Sequence, residues 1–196
     1  MNVSCEVRFD EGAGILSVVQ RYRRSFTLLL AYDEDRLPEH PATPHEPQSL
    51  ALADARNAVG PTVNGPVRSL EMSLKDSGLH AREIDYINAH ATSTPAGDAS
   101  EARAINEVFG EAKTPVSSTK SMTGHECWMA GASEIVYSCL MMQNNFIAPN
   151  INFENPDEDS AKLNIVKTSK HADINVFLSN SFGFGGTNSS LIIRKW

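Results

Sequence analysis

The feature that most constrains this chain is a short β-like run that leads into a turn and then into a helix of small residues. This stretch, Ser117 to Glu134, reads SSTKSMTGHECWMAGASE, with Lys120 and His125 on either side of the turn. In open α/β sheets, the turns that follow strands lie at the carboxyl edge, where such folds form their sites. The stretch therefore predicts an α/β fold with Lys120 and His125 at its site.

Strand-like and helix-like segments alternate over the last two thirds of the chain, which favours an α/β fold with right-handed crossovers. Gly131 to Gln143 is apolar on most sides, so it is predicted to be a largely buried helix. The predicted strands are Ile15 to Val19, Ile84 to Ile87, Val116 to Thr119, Val176 to Ser179 and Leu191 to Ile193.

Two further helices are predicted from their end signals. One spans Val67 to Leu74 at helical spacing and stops at Gly78. The other has Asp98 as its N-cap and Glu101 as its N3 residue, and it ends at Gly110.

Composition excludes several classes of protein. The 196 residues carry a net charge of −7, which argues against nucleic acid as a main partner. Three scattered cysteines suit a reducing compartment. No secretory signal opens the chain, and the apolar run Phe26 to Tyr32 is too short to span a membrane. We expect a cytoplasmic protein.

The chain divides at about residue 59. Residues 1–59 show little pattern apart from prolines at every third position, which favours an extended segment or linker. Residues 60–196 are the orderly part and are predicted to be the functional domain. The recurring prolines are Pro38, Pro41, Pro44 and Pro47.

Three loops, each after a predicted strand, hold the candidate chemistry: His90 with residues 92–98, Lys120 with His125, and the glycine-dense turn Phe182 to Gly186. Two histidine N–H groups and a glycine-rich turn can stabilise an oxyanion, which suits acyl chemistry on a thioester. Each loop also has a purely structural alternative. The histidines could be structural residues with satisfied hydrogen bonds, Lys120 could be a surface charge, and the glycine-dense turn could be a tight hairpin. His125 and Cys127 lack a matching pair at zinc-ligand spacing, so no metal site is predicted.

Four motifs together resemble one enzyme family. They are Asn88 to Asp98 (NAHATSTPAGD), Ser118 to His125 (STKSMTGH), Phe146 to Pro149 (FIAP) and Ser179 to Asn188 (SNSFGFGGTN). In order and spacing the chain resembles the C-terminal half of a β-ketoacyl-acyl-carrier-protein synthase of the type I branch, an elongating condensing enzyme. The resemblance covers roughly Gly65 to Trp196.

The resemblance implies one half of the thiolase-like αβαβα fold, with a mixed five-stranded sheet and a buried helix. It implies decarboxylative Claisen condensation of an acyl thioester with malonyl-acyl-carrier protein in fatty acid biosynthesis. No cofactor is implied, because the substrates ride on the phosphopantetheine of acyl carrier protein. The implied partners are that carrier, the N-terminal half of the synthase and, when complete, a second copy in a homodimer.

The same resemblance implies roles for the catalytic residues. His90 and His125 would hold the thioester oxygen during malonyl decarboxylation. Lys120 resembles the family's active-site lysine, with Glu134 as its associated carboxylate. Phe184 would complete the oxyanion hole with its backbone N–H and gate the acyl pocket with its ring.

Further implied roles concern binding and support. Thr92 and Thr94 resemble the hydroxyls that hold the phosphopantetheine arm, and Phe182 lies in the matching substrate-binding motif. Asp98 and Glu101 match supporting acidic positions near the lysine.

The chain departs from the family in three ways. No segment resembles the turn that carries the nucleophilic cysteine, and Cys127 and Cys139 are expected to be small core residues. Ala91 replaces a glycine, which would cost about 1 kcal/mol if φ is positive there. Residues 20–59 do not resemble the family.

Three interpretations stay open at this point. The chain is the C-terminal half of an active synthase, a non-catalytic partner like the chain-length-determining subunits, or the inactive product of a truncated or frame-shifted gene. The histidine pair and Lys120 favour the first. The chain alone is expected not to elongate acyl-carrier protein, because it lacks the attacking thiolate.

Overall fold

The described part of the chain is built on a mixed β-sheet with helices on both faces. The computed structural model describes residues 4–10, 15–21, 26–34, 63–183 and 187–195. The strands are β1 (Ser4–Asp10), β2 (Ile15–Arg21), β3 (Phe26–Glu34), β4 (Tyr86–Asn88), β5 (Pro115–Ser117), β6 (Phe146–Ile147), β7 (Asn164–Ile165), β8 (Lys170–His171), β9 (Val176–Phe182) and β10 (Thr187–Lys195). The helices are α1 (Asn64–Ser77), α2 (Pro95–Phe109), α3 (Lys120–Thr123) and α4 (Ala130–Asn144).

Within the described ranges, the large sheet has eight strands in the order β1-β2-β3-β10-β9-β4-β5-β7, and β6 pairs separately with β8. Strand β4 is parallel to β5 and β9, whereas β10 is antiparallel to β9 and β3. The mixed sheet is confirmed. Its central strands β3, β10, β9, β4 and β5 are extended by β1 and β2 at one edge and by β7 at the other.

Neighbouring strand residues supply a core on each face of the sheet, because successive side chains point to opposite sides. Ile87 and Leu178 belong to the core beneath α1 and α2. Tyr86 and Phe177, their neighbours in sequence, belong to the core beneath α4. The sheet is therefore enclosed between two helical layers, with the polar loops at its carboxyl edge.

Helix α2 begins four residues earlier than its sequence predicts. Its N-cap is Thr94 and its first residue is Pro95, not a helix capped by Asp98. Proline suits the first helical position because its φ is already helical and its missing N–H needs no partner there. Asp98 instead donates its backbone N–H to the carbonyl of Thr94 at 2.9 Å. The predicted ends at Gly78 and Gly110 are confirmed.

Helix α4 confirms the predicted helix but is buried along one face only. Glu134, Ser138 and Met141 are buried against the sheet. On the opposite face, Val136 is 56% exposed and Leu140 is 47% exposed. The prediction of burial on most sides is thus not met within the described ranges, because there only the sheet side of α4 has a covering layer.

Several predictions concern residues outside the described ranges. The proline-rich segment at residues 38–47, the boundary at residue 59 and Phe184 all lie there. The described strands β1, β2 and β3 precede that boundary, and β3 pairs with β10 along Phe26 to Glu34. The division into two segments stays a prediction.

Candidate active site

His90 lies on the loop after β4, and a carboxylate of α2 holds its backbone. Glu101 accepts the N–H of His90 on Oε1 at 2.9 Å and the N–H of Ala91 on Oε2 at 2.8 Å. Ala91 has a φ of 27°, the positive value considered for this position. Successive N–H groups can converge on one anion where a residue takes the left-handed conformation. Glu101 therefore fixes the direction in which His90 leaves the strand.

A buried polar network supports Glu101 from behind. Asn180 donates its Nδ2 to Oε1 of Glu101 at 3.0 Å, and Ser190 donates its hydroxyl to Oδ1 of Asn180 at 2.9 Å. Ser69 of α1 donates in turn to Ser190 at 2.9 Å. Burial raises the pKa of Glu101, and the hydrogen bonds from the N–H of Ala91, from Asn180 and from the N–H of His90 oppose that shift. The sequence pattern implied no role for Asn180, although it lies in one of the four motifs.

Lys120 begins α3 and forms a buried ion pair with Glu134 of α4. Burial raises the pKa of Glu134 to about 7, while the charge and hydrogen bond of Lys120 act in the opposite direction. The pairing of these two residues, which the family resemblance implied, is present in the structure.

Asn88 joins the elements that carry this ion pair, although its sequence pattern implied no role of its own. Its Nδ2 donates to the hydroxyl of Thr119 at 3.3 Å and to the hydroxyl of Ser138 at 3.1 Å. Its Oδ1 accepts the N–H of Thr119 at 3.3 Å. A fully buried asparagine at a strand end must find such partners. It therefore locks the start of α3 to α4.

His125 lies on an exposed turn between α3 and α4. Its Nδ1 accepts the backbone N–H of Cys127 at 3.0 Å. A ring nitrogen that accepts an N–H carries no proton, so neutral His125 bears its proton on Nε2. The turn therefore prepares Nε2 as a hydrogen-bond donor.

The fold brings His90 and His125 together, as predicted. Their ring centroids lie 5.7 Å apart with an interplanar angle of 86°. Phe182, at the end of β9, packs its ring 6.0 Å from His90. Burial, and then the charges of Lys120 and His125, lower the pKa of His90 to about 3. The ring of His90 is therefore neutral near pH 7.

A small cleft opens beside His90 and contains several predicted binding residues. Thr92, Asp98 and Phe182 line it together with His90. The hydroxyls of Thr92 and Thr94 lie 3.2 Å apart, within hydrogen-bonding distance. The cleft therefore presents the Thr92 hydroxyl next to the imidazole of His90, with the ring of Phe182 as an aromatic wall.

Comparison with known protein families identifies the family to which this chain belongs. Residues 50–154 match the model of the beta-ketoacyl synthase, C-terminal domain. The chain belongs to this family. The resemblance drawn from the four motifs is thereby confirmed.

Curated relatives of this ketoacyl synthase domain are longer proteins. The 3-oxoacyl-[acyl-carrier-protein] synthase 1 of Escherichia coli K12 is 47% identical over 145 residues, which cover 74% of this chain and 35% of that protein. The synthase 2 of Coxiella burnetii is 47% identical over 137 residues, which cover 69% of this chain and 33% of that protein. The chain thus spans about a third of the length of these relatives.

Solved ketosynthases share the fold of this ketoacyl synthase domain. A ketosynthase in complex with its chain length factor from Xenorhabdus doucetiae has a TM-score of 0.70 and 29% identity, covering 98% of this chain and 46% of that one. A β-ketoacyl synthase from Burkholderia phymatum has a TM-score of 0.66 and 29% identity, covering 93% and 38%. The thiolase-like α/β fold is confirmed.

The cysteines of the ketoacyl synthase domain occupy different environments. Cys139 is half-buried against the core beneath α4, and burial raises the pKa of its thiol. Cys127 is exposed, so the expectation of a core residue is wrong for it. It lies on the turn that precedes α4, where no core surrounds it. The side chain of Cys5 lies outside the described residues.

Two absences hold for the described part of this domain. No group of three or more His, Cys, Asp or Glu side chains there is arranged to hold a metal ion. Among the helices in those ranges, none has the length and apolar character needed to cross a membrane.

Proposed function

We propose that this chain supplies the C-terminal half of the active site of a β-ketoacyl-acyl-carrier-protein synthase. In that reaction malonyl-carrier protein loses carbon dioxide, and its C–C bonding electrons pass to an enolate. The enolate carbon attacks an acyl group held on a cysteine. The new C–C bond forms as the cysteine thiolate leaves, giving β-ketoacyl-carrier protein.

The observation that carries this proposal is the pair of histidine rings 5.7 Å apart. Decarboxylation places negative charge on the malonyl thioester oxygen. The Nε2–H of His125 and an N–H of neutral His90 are donors that stabilise such an oxygen without reorganising. Because the pKa of His90 is lowered to about 3, its ring does not become a fixed cation at neutral pH.

Lys120 assists the two histidines through its charge rather than through contact with substrate. It is buried beside Glu134, and it contributes to the lowered pKa of His90. The positive charge of Lys120 thus helps to keep the His90 ring in its neutral, donating form. Asp98 and Glu101 support the same loop, Asp98 from the cleft wall and Glu101 from beneath.

Thr92, Thr94 and Phe182 are proposed to bind the phosphopantetheine arm and the substrate. The two threonine hydroxyls offer hydrogen bonds to amide groups, and Phe182 forms an apolar wall next to His90. Phe184 is proposed to donate its backbone N–H to the acyl oxyanion and to gate the acyl pocket. No resident cofactor is needed for these roles.

The attacking thiolate is proposed to come from an N-terminal half. The raised pKa of Cys139 disfavours its thiolate, which is the nucleophilic form. The exposed apolar face of α4 is the proposed contact for that half. Acyl carrier protein is the proposed carrier. A similar solved structure, 35% identical with a TM-score of 0.63, contains an acyl-carrier protein in complex with its ketosynthase, and it supports this proposal.

A non-catalytic partner subunit is the second candidate. The observation that favours it is the similarity to a ketosynthase that was solved with its chain length factor. A partner subunit needs no donor pair, so the histidine geometry favours the catalytic half.

The test is decarboxylation of malonyl-carrier protein by the full chain mixed with an N-terminal synthase half. We expect carbon dioxide release that falls by about 100-fold or more in His125→Ala, as for the loss of one oxyanion donor. His171→Ala, an exposed histidine on β8, is the control. Release that is absent, or equal in both variants, refutes the catalytic proposal. Histidine-independent stimulation of a complete synthase supports the partner subunit.

A further inference from the structure

We propose that Glu126 and Tyr137 form a clamp that positions His125 by tying its turn to α4. This inference deepens the proposed function and rests on the role assigned there to His125. Glu126 and Tyr137 are positioning residues, since they act on the ring through the backbone of the turn. Neither was singled out by its sequence pattern.

The turn that carries His125 lies at the surface, outside both cores. His125, Cys127 and Trp128 are all exposed. The hydrogen bond from the Cys127 N–H fixes the ring to its own turn, but it does not fix the turn to the sheet. Cys127 also has a φ of 51°, a left-handed conformation that costs free energy in a residue with a Cβ. A turn of this kind needs an external contact to hold one geometry.

The contact from outside the turn comes from α4. Tyr137 donates its hydroxyl hydrogen to Oε1 of Glu126 at 3.1 Å, across eleven residues. Tyr137 lies three residues after Glu134, the partner of Lys120, and residues at that spacing are neighbours on a helix surface. The same part of α4 therefore holds both the buried lysine and the turn with His125.

The ionisation of the two groups supports this direction of donation. The hydroxyl of Ser133 first, and then those of Tyr137 and Thr123, lower the pKa of Glu126. The hydrogen bond to Glu126 raises the pKa of Tyr137. Near neutral pH the carboxylate is ionised and the phenol is protonated. A charged acceptor strengthens the bond between them.

The clamp sets the distance between the two histidine rings. His90 is held separately by Glu101, whereas His125 depends on its turn. Loss of the clamp should let the ring of His125, with its Nε2, move away from the ring of His90. The stability of the sheet should change little, because the turn lies outside both cores.

The test is nuclear magnetic resonance of the full chain with ¹⁵N-labelled histidine. The ring tautomer of His125 and the Overhauser effect between the His90 and His125 rings are measured in wild type, Tyr137→Phe, Glu126→Ala and Glu126→Gln. Controls are Glu107→Ala, an exposed glutamate on α2, and Tyr86→Phe, which removes a buried hydroxyl bonded to Ser117. Thermal unfolding shows that each variant is folded.

We expect Tyr137→Phe and Glu126→Ala to reduce the ring-to-ring effect several-fold and to mix the tautomers of His125. Glu126→Gln should retain both signals, because its amide oxygen still accepts from Tyr137. Unchanged signals in Tyr137→Phe and Glu126→Ala overturn the clamp, and so does a Glu126→Gln variant that behaves like Glu126→Ala. No substrate is used, so a chain that is inactive in decarboxylation still gives a decisive result.

Discussion

Glu101 accepts the backbone N–H of His90 at 2.9 Å, although eleven residues separate them in the chain. The same carboxylate accepts the N–H of Ala91, and it is buried. One side chain of α2 thus determines the conformation of the loop that carries a proposed catalytic histidine.

Glu101→Gln should therefore destabilise the fold by about 1 to 3 kcal/mol, the cost of leaving a buried donor unsatisfied. In the wild type both oxygens of Glu101 accept a backbone N–H. In the variant the amide NH₂ group takes the place of one oxygen, so one of these N–H groups loses its acceptor. Unfolding in urea measures the change in free energy. Glu107→Gln, exposed on the same helix, is the control, and an equal effect of the two substitutions would contradict the role of Glu101.

Ala91→Gly should stabilise the chain by about 1 kcal/mol, because glycine adopts a positive φ without a Cβ clash. The value of 27° at Ala91 is the basis for this expectation. Urea unfolding again provides the measurement. Ala132→Gly, on the exposed side of α4, should destabilise by about 1 kcal/mol instead. A loss of stability in Ala91→Gly would show that its methyl group contributes more than the strain costs.

His90 should remain neutral well below pH 6, because its pKa is lowered to about 3. In the unfolded chain it takes up a proton near pH 6.5, so its contribution to stability is present above that pH. The contribution is lost as pH falls from 6.5 towards 3, by at most about 1.4 kcal/mol per pH unit. His90→Asn should remove this slope, whereas His171→Asn should keep it. Titration of the His90 ring above pH 5 would contradict the prediction.

Lys120→Met should destabilise the fold more at pH 8 than at pH 5. The folded pKa of Glu134 is already raised to about 7, so stability is lost as pH rises from 4.5 towards that value. Removal of Lys120 moves the folded pKa higher and extends the loss, by about 1.4 kcal/mol per unit of pKa. Lys162→Met, an exposed lysine, should show no such pH dependence. Equal destabilisation at both pH values would argue against the coupling.

The double substitution Val136→Asp and Leu140→Asp should abolish the thermal stabilisation that an N-terminal synthase half gives to this chain. Both side chains lie on the exposed face of α4, and burial of apolar surface contributes about 25 cal/mol per Å². The chain alone should unfold at nearly the same temperature as wild type. Ile151→Asp, exposed and apolar but outside α4, is the control. Full stabilisation of the double variant would place the contact elsewhere.

The sequence by itself determined the fold class and the family. Alternating strand and helix patterns depend on residues close together in the chain, so β4, β9, β10 and α4 could be placed from local pattern alone. Motif order then identified the family. The start of α2 was misplaced because Asp98 and Glu101 have the spacing of a capping box, while the helix actually begins at Pro95.

Only the tertiary structure decided how the polar residues meet. Glu101 does not act in a capping box of its own helix, as its spacing from Asp98 predicted. Its carboxylate instead accepts two N–H groups from the loop after β4. The neutral state of His90 depends on burial and on charges from Lys120 and His125, which are distant in sequence. The exposed face of α4 could not be predicted from its apolar residues. An apolar helix face favours burial, but its sequence does not say which other surface covers it.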